Sequence, residues 1–208
     1  MMYFIAALIG YILGSIPTGL VLVKMICGID IRKYGSHNIG ATNVFRTVGA
    51  RMASFVLLGD ILKGIAAVVL VKFFFEANLH LQLVAAIAAL LGHTFSVFLH
   101  FKGGRGVATG LGLIIYFMPD VSIFSLAVWA GIVFVTKYVS LASVVAAFVT
   151  PFAAFYRDYP WELIVFVTFA CLFVIVRHYE NIIRLLHGNE TKIKEGHFSG
   201  FKNKINGK

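Results

Sequence analysis

Charge is scarce in this chain. Asp, Glu, Lys and Arg make up 13% of the 208 residues, where an ordinary soluble domain has about 25%. Hydrophobic residues take 60% and the mean hydropathy is +0.90. A disordered chain is poor in apolar residues, so disorder is excluded. A soluble enzyme of this length has no use for so much apolar surface either, which leaves a protein built of membrane spans. Cysteine is scarcer still: Cys27 and Cys171 lie 144 positions apart in apolar or juxtamembrane sequence. They provide neither a disulfide framework nor a CxxC pair and read as core thiols. HExxH motifs and His/Asp clusters are missing, so no metal is expected. So are the GxSxG elbow of serine hydrolases, the Walker A spacing and any internal repeat. No basic residue precedes the apolar run from Tyr3, and the first is Lys24. That run is therefore expected to be an uncleaved span and not a secretory signal.

A bilayer crossing takes about 20 apolar residues. Seven segments qualify or come close: roughly 2–25, 53–75, 80–101, 107–118, 121–136, 140–156 and 161–178. The fourth and fifth are short and meet at Met118-Pro119-Asp120, a tight turn. The expected fold is an all-α polytopic bundle of about seven transmembrane helices, with five to seven as the working range.

Acids are as sparse as the bases are one-sided. Nine Asp and Glu face 18 Lys and Arg, a net charge of +9. With the N-terminus outside, the inner connections collect Lys24, Arg32, Lys33, Arg46, Arg51, Lys102, Arg105 and Lys137. The C-terminal part adds Arg177, Arg184, Lys192, Lys194, Lys202, Lys204 and Lys208, making 15 of the 18. By the positive-inside rule the N-terminus is periplasmic and the C-terminus cytoplasmic. Glu76, Asp120, Asp158 and Glu162 fall outside. A basic inner face points to an anion handled there. Nucleic acid is a poor fit, because no basic stretch sits on a soluble module.

Three inner segments carry the polar chemistry. Gly35 to Arg46 is dense in small, hydroxyl and amide residues. Ser36, Asn38, Thr42 and Asn43 can aim neutral donors at an oxyanion, and Arg46 adds a bidentate fork. Alternatively the loop caps a helix, with Ser36 or Asn38 as the N-cap. In the second segment Lys102, Gly103, Gly104, Arg105 and Gly106 sit where one span ends and the next begins. Glycine N–H groups, a helix N-terminus and cations together make an anion cradle. Gly106 and Gly110 also form GxxxG, a helix-packing signal. In the third segment, Arg177, His178, Asn181 and Arg184 recur at helical spacing and share one polar stripe. Its other reading is an amphipathic interfacial helix. Asp60 and Lys63 read as a buried structural pair. Ser143 is either a packing serine or a member of the same cavity. His93 reads as a hydrogen-bonded structural histidine.

Taken together, Gly14-Ser15-Ile16-Pro17, Gly35 to Arg46, Gly92 to Thr109, Tyr138 to Ser143 and Arg177 to Glu190 resemble one family, the bacterial acyl-phosphate:glycerol-3-phosphate acyltransferases of the inner membrane. The resemblance covers 1–190 as a single membrane-embedded acyltransferase domain and leaves 191–208 as a polar basic cytoplasmic tail. It implies acyl transfer from acyl phosphate to the 1-hydroxyl of sn-glycerol 3-phosphate, yielding lysophosphatidate and phosphate, with no cofactor. The implied partners are the two substrates, membrane lipid and the enzyme that makes acyl phosphate. Ser36 and Arg46 match the essential residues of the first motif. Gly103, Gly104 and Gly106 match the loop assigned to glycerol 3-phosphate. His178 and Asn181 match the third motif, Ser143 a site serine, and Glu190 a structural position. Arg105 stands where the family more often has Lys, and Ser96 where it has Pro. With Arg105, these give Ser36, Arg46, Arg105, His178 and Asn181 as the catalytic set. Asn38, Thr42, Asn43, Lys102, Gly103, Gly104, Gly106 and Ser143 are the expected substrate contacts. None of the seven His has Asp five positions on, so the HxxxxD mechanism of the other glycerolipid acyltransferases is not open to it. The alternative reading is an organophosphate or anion transporter with a basic cytoplasmic cavity.

The charge asymmetry is testable. In a background free of Cys27 and Cys171, His37→Cys and Gly200→Cys are expected to resist an impermeant thiol reagent on intact cells and to react after permeabilisation. Labelling of either in intact cells overturns the orientation.

Overall fold

A computed structural model describes residues 1–75 and 78–194. Glu76, assigned to the outer face, and the tail cations Lys202, Lys204 and Lys208 lie outside the described residues. Among those described, the regular elements are all helical. They are α1 (Met2–Ser15), α2 (Thr18–Cys27), α3 (Ala41–Thr47), α4 (Ala50–Phe74), α5 (Leu79–Thr94), α6 (Val107–Phe117), α7 (Pro119–Thr136), α8 (Val139–Tyr156), α9 (Trp161–Arg177) and α10 (Tyr179–Leu186). Met2–Cys27, α4, Leu79–Leu99, α7 and α8 are long and apolar enough to cross a membrane. The α9–α10 pair makes a sixth if counted as one bent span. The 11 residues of α6 reach about 16 Å at 1.5 Å per residue, short of a hydrocarbon core of about 30 Å. Phe73, Phe134, Phe148 and Phe152 are exposed, as lipid-facing side chains are.

The first span is not one straight helix. Pro17 has no N–H and holds the preceding residue out of the α region, and Ile16 sits at φ −57°, ψ 116°. Its carbonyl is taken by the Lys63 ammonium at 2.7 Å. Pro119 does the opposite at the other end of the bundle, starting α7 in the first turn, where a missing N–H costs nothing.

Small residues bring the spans together. A Cβ at Gly10 or Gly14 would overlap the backbone of Ala85 or Ala89, so α1 and α5 touch along their main chains. Gly112 meets the Ile61 carbonyl in the same way, and Gly64 lies against Thr109. The α4–α6 contact thus rests on Gly64 and Gly112. The Gly106/Gly110 pair does not form a packing face: Gly106 is a left-handed helix start, and a Cβ at Gly110 would meet only Leu90, at 3.9 Å. A core around Leu90, Leu113, Met118 and Phe166 ties α5 and α6 to the start of α7 and to α9. A second, around Val23, Ile31, Val44 and Val56, seats the first polar loop on α2 and α4. Cys27 and Cys171 are both buried, and no disulfide joins them.

Gly14→Ala forces apart two backbones in contact. Overpacking of this kind costs about 1–3 kcal/mol, and a clear fall in Tm in detergent is expected. Gly131, with nothing within 4 Å of an added Cβ, is the control: Gly131→Ala should leave Tm unchanged. Equal Tm values for the two variants would contradict the packing.

Candidate active site

Gly28 closes α2 in the left-handed conformation, and a short turn at Ile31–Lys33 follows. Asn43, from the first turn of α3, then organises the loop. Its Oδ1 accepts from Ser36 N at 2.9 Å, and its Nδ2 donates to the Asn38 carbonyl at 2.7 Å and the Tyr34 carbonyl at 3.1 Å. At 2% exposure with its amide so committed, Asn43 shapes the site and has no donor left for a ligand, which corrects its expected role. Neither Ser36 nor Asn38 is the N-cap of α3. That position is Gly40, whose N–H donates to Asn38 Oδ1 at 2.8 Å.

The second loop leaves α5 and doubles back. Ser96 donates from Oγ to the Ser15 carbonyl at 2.6 Å. His100 and Phe101 both take positive φ, 51° and 62°. The reversal brings Gly103 N to the Thr94 carbonyl at 2.9 Å and Gly104 N to the His93 carbonyl at 3.1 Å. Those two N–H groups are spent, so the expected cradle moves along the chain. The next residues along the chain to line the cavity are Val107 and Ala108, in the first turn of α6. The first four N–H groups of a helix have no intrahelical acceptor, and the positive end of its dipole points the same way. Gly106 reaches this start with φ 83°, a conformation favouring glycine.

The third segment is not one continuous stripe. The chain bends by 56° between α9 and α10, with His178 at the break. Arg177 turns away and lies over the Phe95 ring, 5.5 Å from its centroid. His178 and Asn181 are buried. His178 Nδ1 lies 2.8 Å from the Val174 carbonyl. A carbonyl can only accept, so Nδ1 carries the proton and Nε2 keeps its lone pair. Asn181 Nδ2 donates to Glu190 Oε1 at 2.8 Å, and Ser140 Oγ donates to the same oxygen at 2.8 Å. Arg184 Nε holds the other oxygen at 2.8 Å.

These segments enclose a polar cavity of about 130 Å³, lined by Ser36, Asn38, Thr42, Asn43, Arg46, Arg105, Gly106, Ser143 and His178 among the expected residues. Lys102 and Gly103 lie outside it, on a wider vestibule of about 1000 Å³ that also meets Arg32, Arg105 and Arg177. Gly104 is packed under the cavity against the His93 ring. Asn181 is not among the lining residues and acts on Glu190 from behind. Arg46 donates from Nη2 to the Thr191 carbonyl at 2.7 Å. Its Nε is buried without a partner among the described residues, a donor in need of an acceptor. Burial lowers the pKa of both Arg46 and Arg105, each further lowered by neighbouring arginine and partly restored by Glu190; both remain cationic at neutral pH. For Glu190, burial pushes the pKa up, but hydrogen bonds from Asn181, Ser140 and Arg184 outweigh it and leave the carboxyl below its ordinary value.

A second cavity, of about 150 Å³ and apolar, runs on between α6, α7, α8 and α9. Leu57, Val107, Ala108, Trp129 and Ser143 line both. Ser143 Oγ donates to the Val139 carbonyl at 2.9 Å and accepts from Trp129 Nε1 at 3.2 Å, so serine and indole form the wall between polar and apolar space. Sequence reasoning missed Trp129; its place two turns inside a span, away from the interfacial belt, was the available signal. It also missed Asp60 and His93 as the floor of the polar cavity.

Residues 4–188 match the family model described as glycerol-3-phosphate acyltransferase. A glycerol-3-phosphate acyltransferase of Trichlorobacter lovleyi is 46% identical over 184 residues, covering 88% of this chain and 94% of that protein. The fold is similar to the crystal structure of an integral membrane glycerol 3-phosphate acyltransferase, PlsY. In its glycerol 3-phosphate form the TM-score is 0.86 at 37% identity, over 93% of this chain and 96% of that one. In its lysophosphatidic acid form it is 0.83 at 36%, over 92% and 95%.

Glu190 generates a pH prediction. Its folded pKa is depressed, so the stability it contributes is complete above the ordinary Glu value near about 4.3 and is lost as pH falls through the lowered value. The wild type should lose Tm on acidification below about pH 4.3. Glu190→Gln should start lower at neutral pH and show a flatter acid limb. Parallel Tm-against-pH curves would show that Glu190 does not couple to folding.

Proposed function

This chain belongs to the glycerol-3-phosphate acyltransferase family, and on that premise we propose that it moves an acyl chain from acyl phosphate to the 1-hydroxyl of sn-glycerol 3-phosphate at the cytoplasmic face of a bacterial inner membrane. The observation that carries the reading is the join between a small cationic cavity and an apolar one. A phosphate and a hydroxyl suit the first. A hydrocarbon tail suits the second. The acyl carbonyl would then lie at the wall formed by Ser143 and Trp129. The transporter alternative is set aside by the family.

Acyl phosphate already carries a good leaving group, so no covalent enzyme intermediate is needed. The hydroxyl oxygen attacks the acyl carbon, the bond from that carbon to the phosphate oxygen breaks, and inorganic phosphate departs. The protein contributes alignment and charge. Arg46, Arg105 and the first-turn amides of α6 neutralise phosphate and the developing oxyanion. Ser36 and Asn38 orient the glycerol hydroxyls. Asn181 keeps Glu190 in place and thereby the wall that Ser140 and His178 share. The hydroxyl proton goes to the departing phosphate or to His178 Nε2, the one ring atom free to accept it. The excess of basic residues at this end supports the cytoplasmic placement. Acyl phosphate is amphiphilic and scarcely soluble, which suits delivery by the enzyme that makes it.

Purified protein should release phosphate from acyl phosphate only when glycerol 3-phosphate is present; release without it, or none at all, refutes the reading. Arg105→Lys should keep substantial activity, because the charge survives. Arg105→Ala should lose about 10²–10³-fold in kcat/KM, the cost of one oxyanion donor. A general base contributes about 10²–10⁴-fold, and His178→Ala should fall in that range only if Nε2 takes the proton. We expect the acidic limb of the pH–rate profile to survive in His178→Ala, because a phosphate ionising near about 6 is present in every turnover. Its disappearance would assign the base to His178.

A further inference from the structure

Three buried titratable groups have no part in the chemistry above: Asp60, Lys63 and His93. Two of them, Asp60 and His93, form the floor of the polar cavity. They resemble a base dyad assembled from two spans, with His93 Nδ1 3.6 Å from Asp60 Oδ1. The other edge of the ring excludes that role. A Cβ on Gly104 would overlap His93 Nε2 and come within 3.1 Å of its Cδ2 and Cε1. The loop covers the nitrogen that a substrate hydroxyl would need.

What the ring does touch is informative. Nδ1 lies 3.1 Å from Thr109 Oγ1, in the first turn of α6. Nε2 lies under Gly104, and the His93 carbonyl accepts from Gly104 N at 3.1 Å. Residues 104 and 109 bracket Arg105 to Ala108, the stretch carrying the cation and the first-turn amides. One imidazole therefore braces both ends of the anion-binding turn. Asp60 Oδ1 lies near the same ring edge, 3.6 Å from Nδ1. Resting on the reading above, we propose that His93 is a positioning residue for glycerol 3-phosphate binding. It acts through Gly104 and Thr109, and position 104 is glycine because the His93 ring occupies the place of its Cβ.

The test is a double-mutant cycle on the purified full chain, with KM for glycerol 3-phosphate and kcat from phosphate release. His93→Asn keeps a polar atom near Nδ1 and removes Nε2. It should raise KM about tenfold with kcat little changed, as for a ground-state interaction. Gly104→Ala displaces the turn and should cost about a hundredfold in kcat/KM. His93→Asn/Gly104→Ala should return close to the His93→Asn value, since the added methyl then has room. Gly103→Ala should not be rescued by His93→Asn, because a Cβ at 103 meets the carbonyl oxygens of His93 and Thr94, which the variant keeps. Losses that simply multiply in the 104 double variant overturn the proposal, and so does a fall in kcat at unchanged KM in His93→Asn. Tm values of the same proteins report the 104–93 contact without substrate: Gly104→Ala should melt lower than the wild type and the double variant should recover. A double variant that melts no higher than Gly104→Ala also overturns it. A wild type that melts normally but turns nothing over refutes the proposed reaction and leaves the contact standing on the Tm cycle.

Discussion

A carboxylate and an ammonium buried in the bundle hold the bundle and its site in register. Asp60 and Lys63 are 2% and 6% exposed and 2.8 Å apart. A buried pair of this kind is tolerable only if its remaining hydrogen-bonding capacity is met. Here it is met by every neighbour that matters. Thr18, at the start of α2, donates its hydroxyl to Asp60. Lys63 takes the Ile16 carbonyl that Pro17 strands at the helix break. His93, at the end of α5, turns its ring toward the same carboxylate. The break in the first span, the middle of α4 and the exit of α5 are thereby locked together, just under the polar cavity.

On that anchor the fold keeps two solvents apart. The end that carries the site is a ring of loops whose backbone groups are met internally, by Asn43 in the first and by the Thr94 and His93 carbonyls in the second. Left on the cavity are the side chains of Ser36, Asn38, Arg46 and Arg105 and the start of α6. Beside it, spans of Ala, Ser, Thr and Leu leave an apolar cavity within the membrane part of the bundle. Trp129 and Ser143 separate the two. The proposed reaction, between a polar phosphate ester and an acyl donor with an apolar tail, needs such a boundary, and here helices and a loop meet to form it.

Much of this was legible in the residues. The apolar runs marked the helices to within a few positions, because hydropathy over a span leaves little choice in a bilayer. Asp60 and Lys63, three apart on one span, could be read as a pair, since each had nowhere else to go. The clusters around Ser36, Arg105 and His178 stood out as polar islands in apolar sequence. Roles within them were harder to read. Asn43 and Ser36 look equivalent as donors, yet only the fold shows that one is spent on the loop. Gly103 and Gly104 look like a phosphate cradle, yet their amides point at carbonyls of the preceding turn. The Arg177 to Arg184 stripe assumed a straight helix, and the chain bends there.

The sequence by itself determined that this is a helical membrane protein whose basic residues gather in the connections that carry its three polar segments. Those are properties of composition, of spacing along one helix and of charge counted over loops, and each is local. Tertiary structure alone decided which donors remain free for a ligand, that Asp60 reaches His93 across two spans, that Gly104 is glycine because of a ring 11 positions earlier in the chain, and that Trp129 guards the join between two cavities. Each of these depends on which atoms are already hydrogen-bonded or already in contact, and that is settled only when the helices pack.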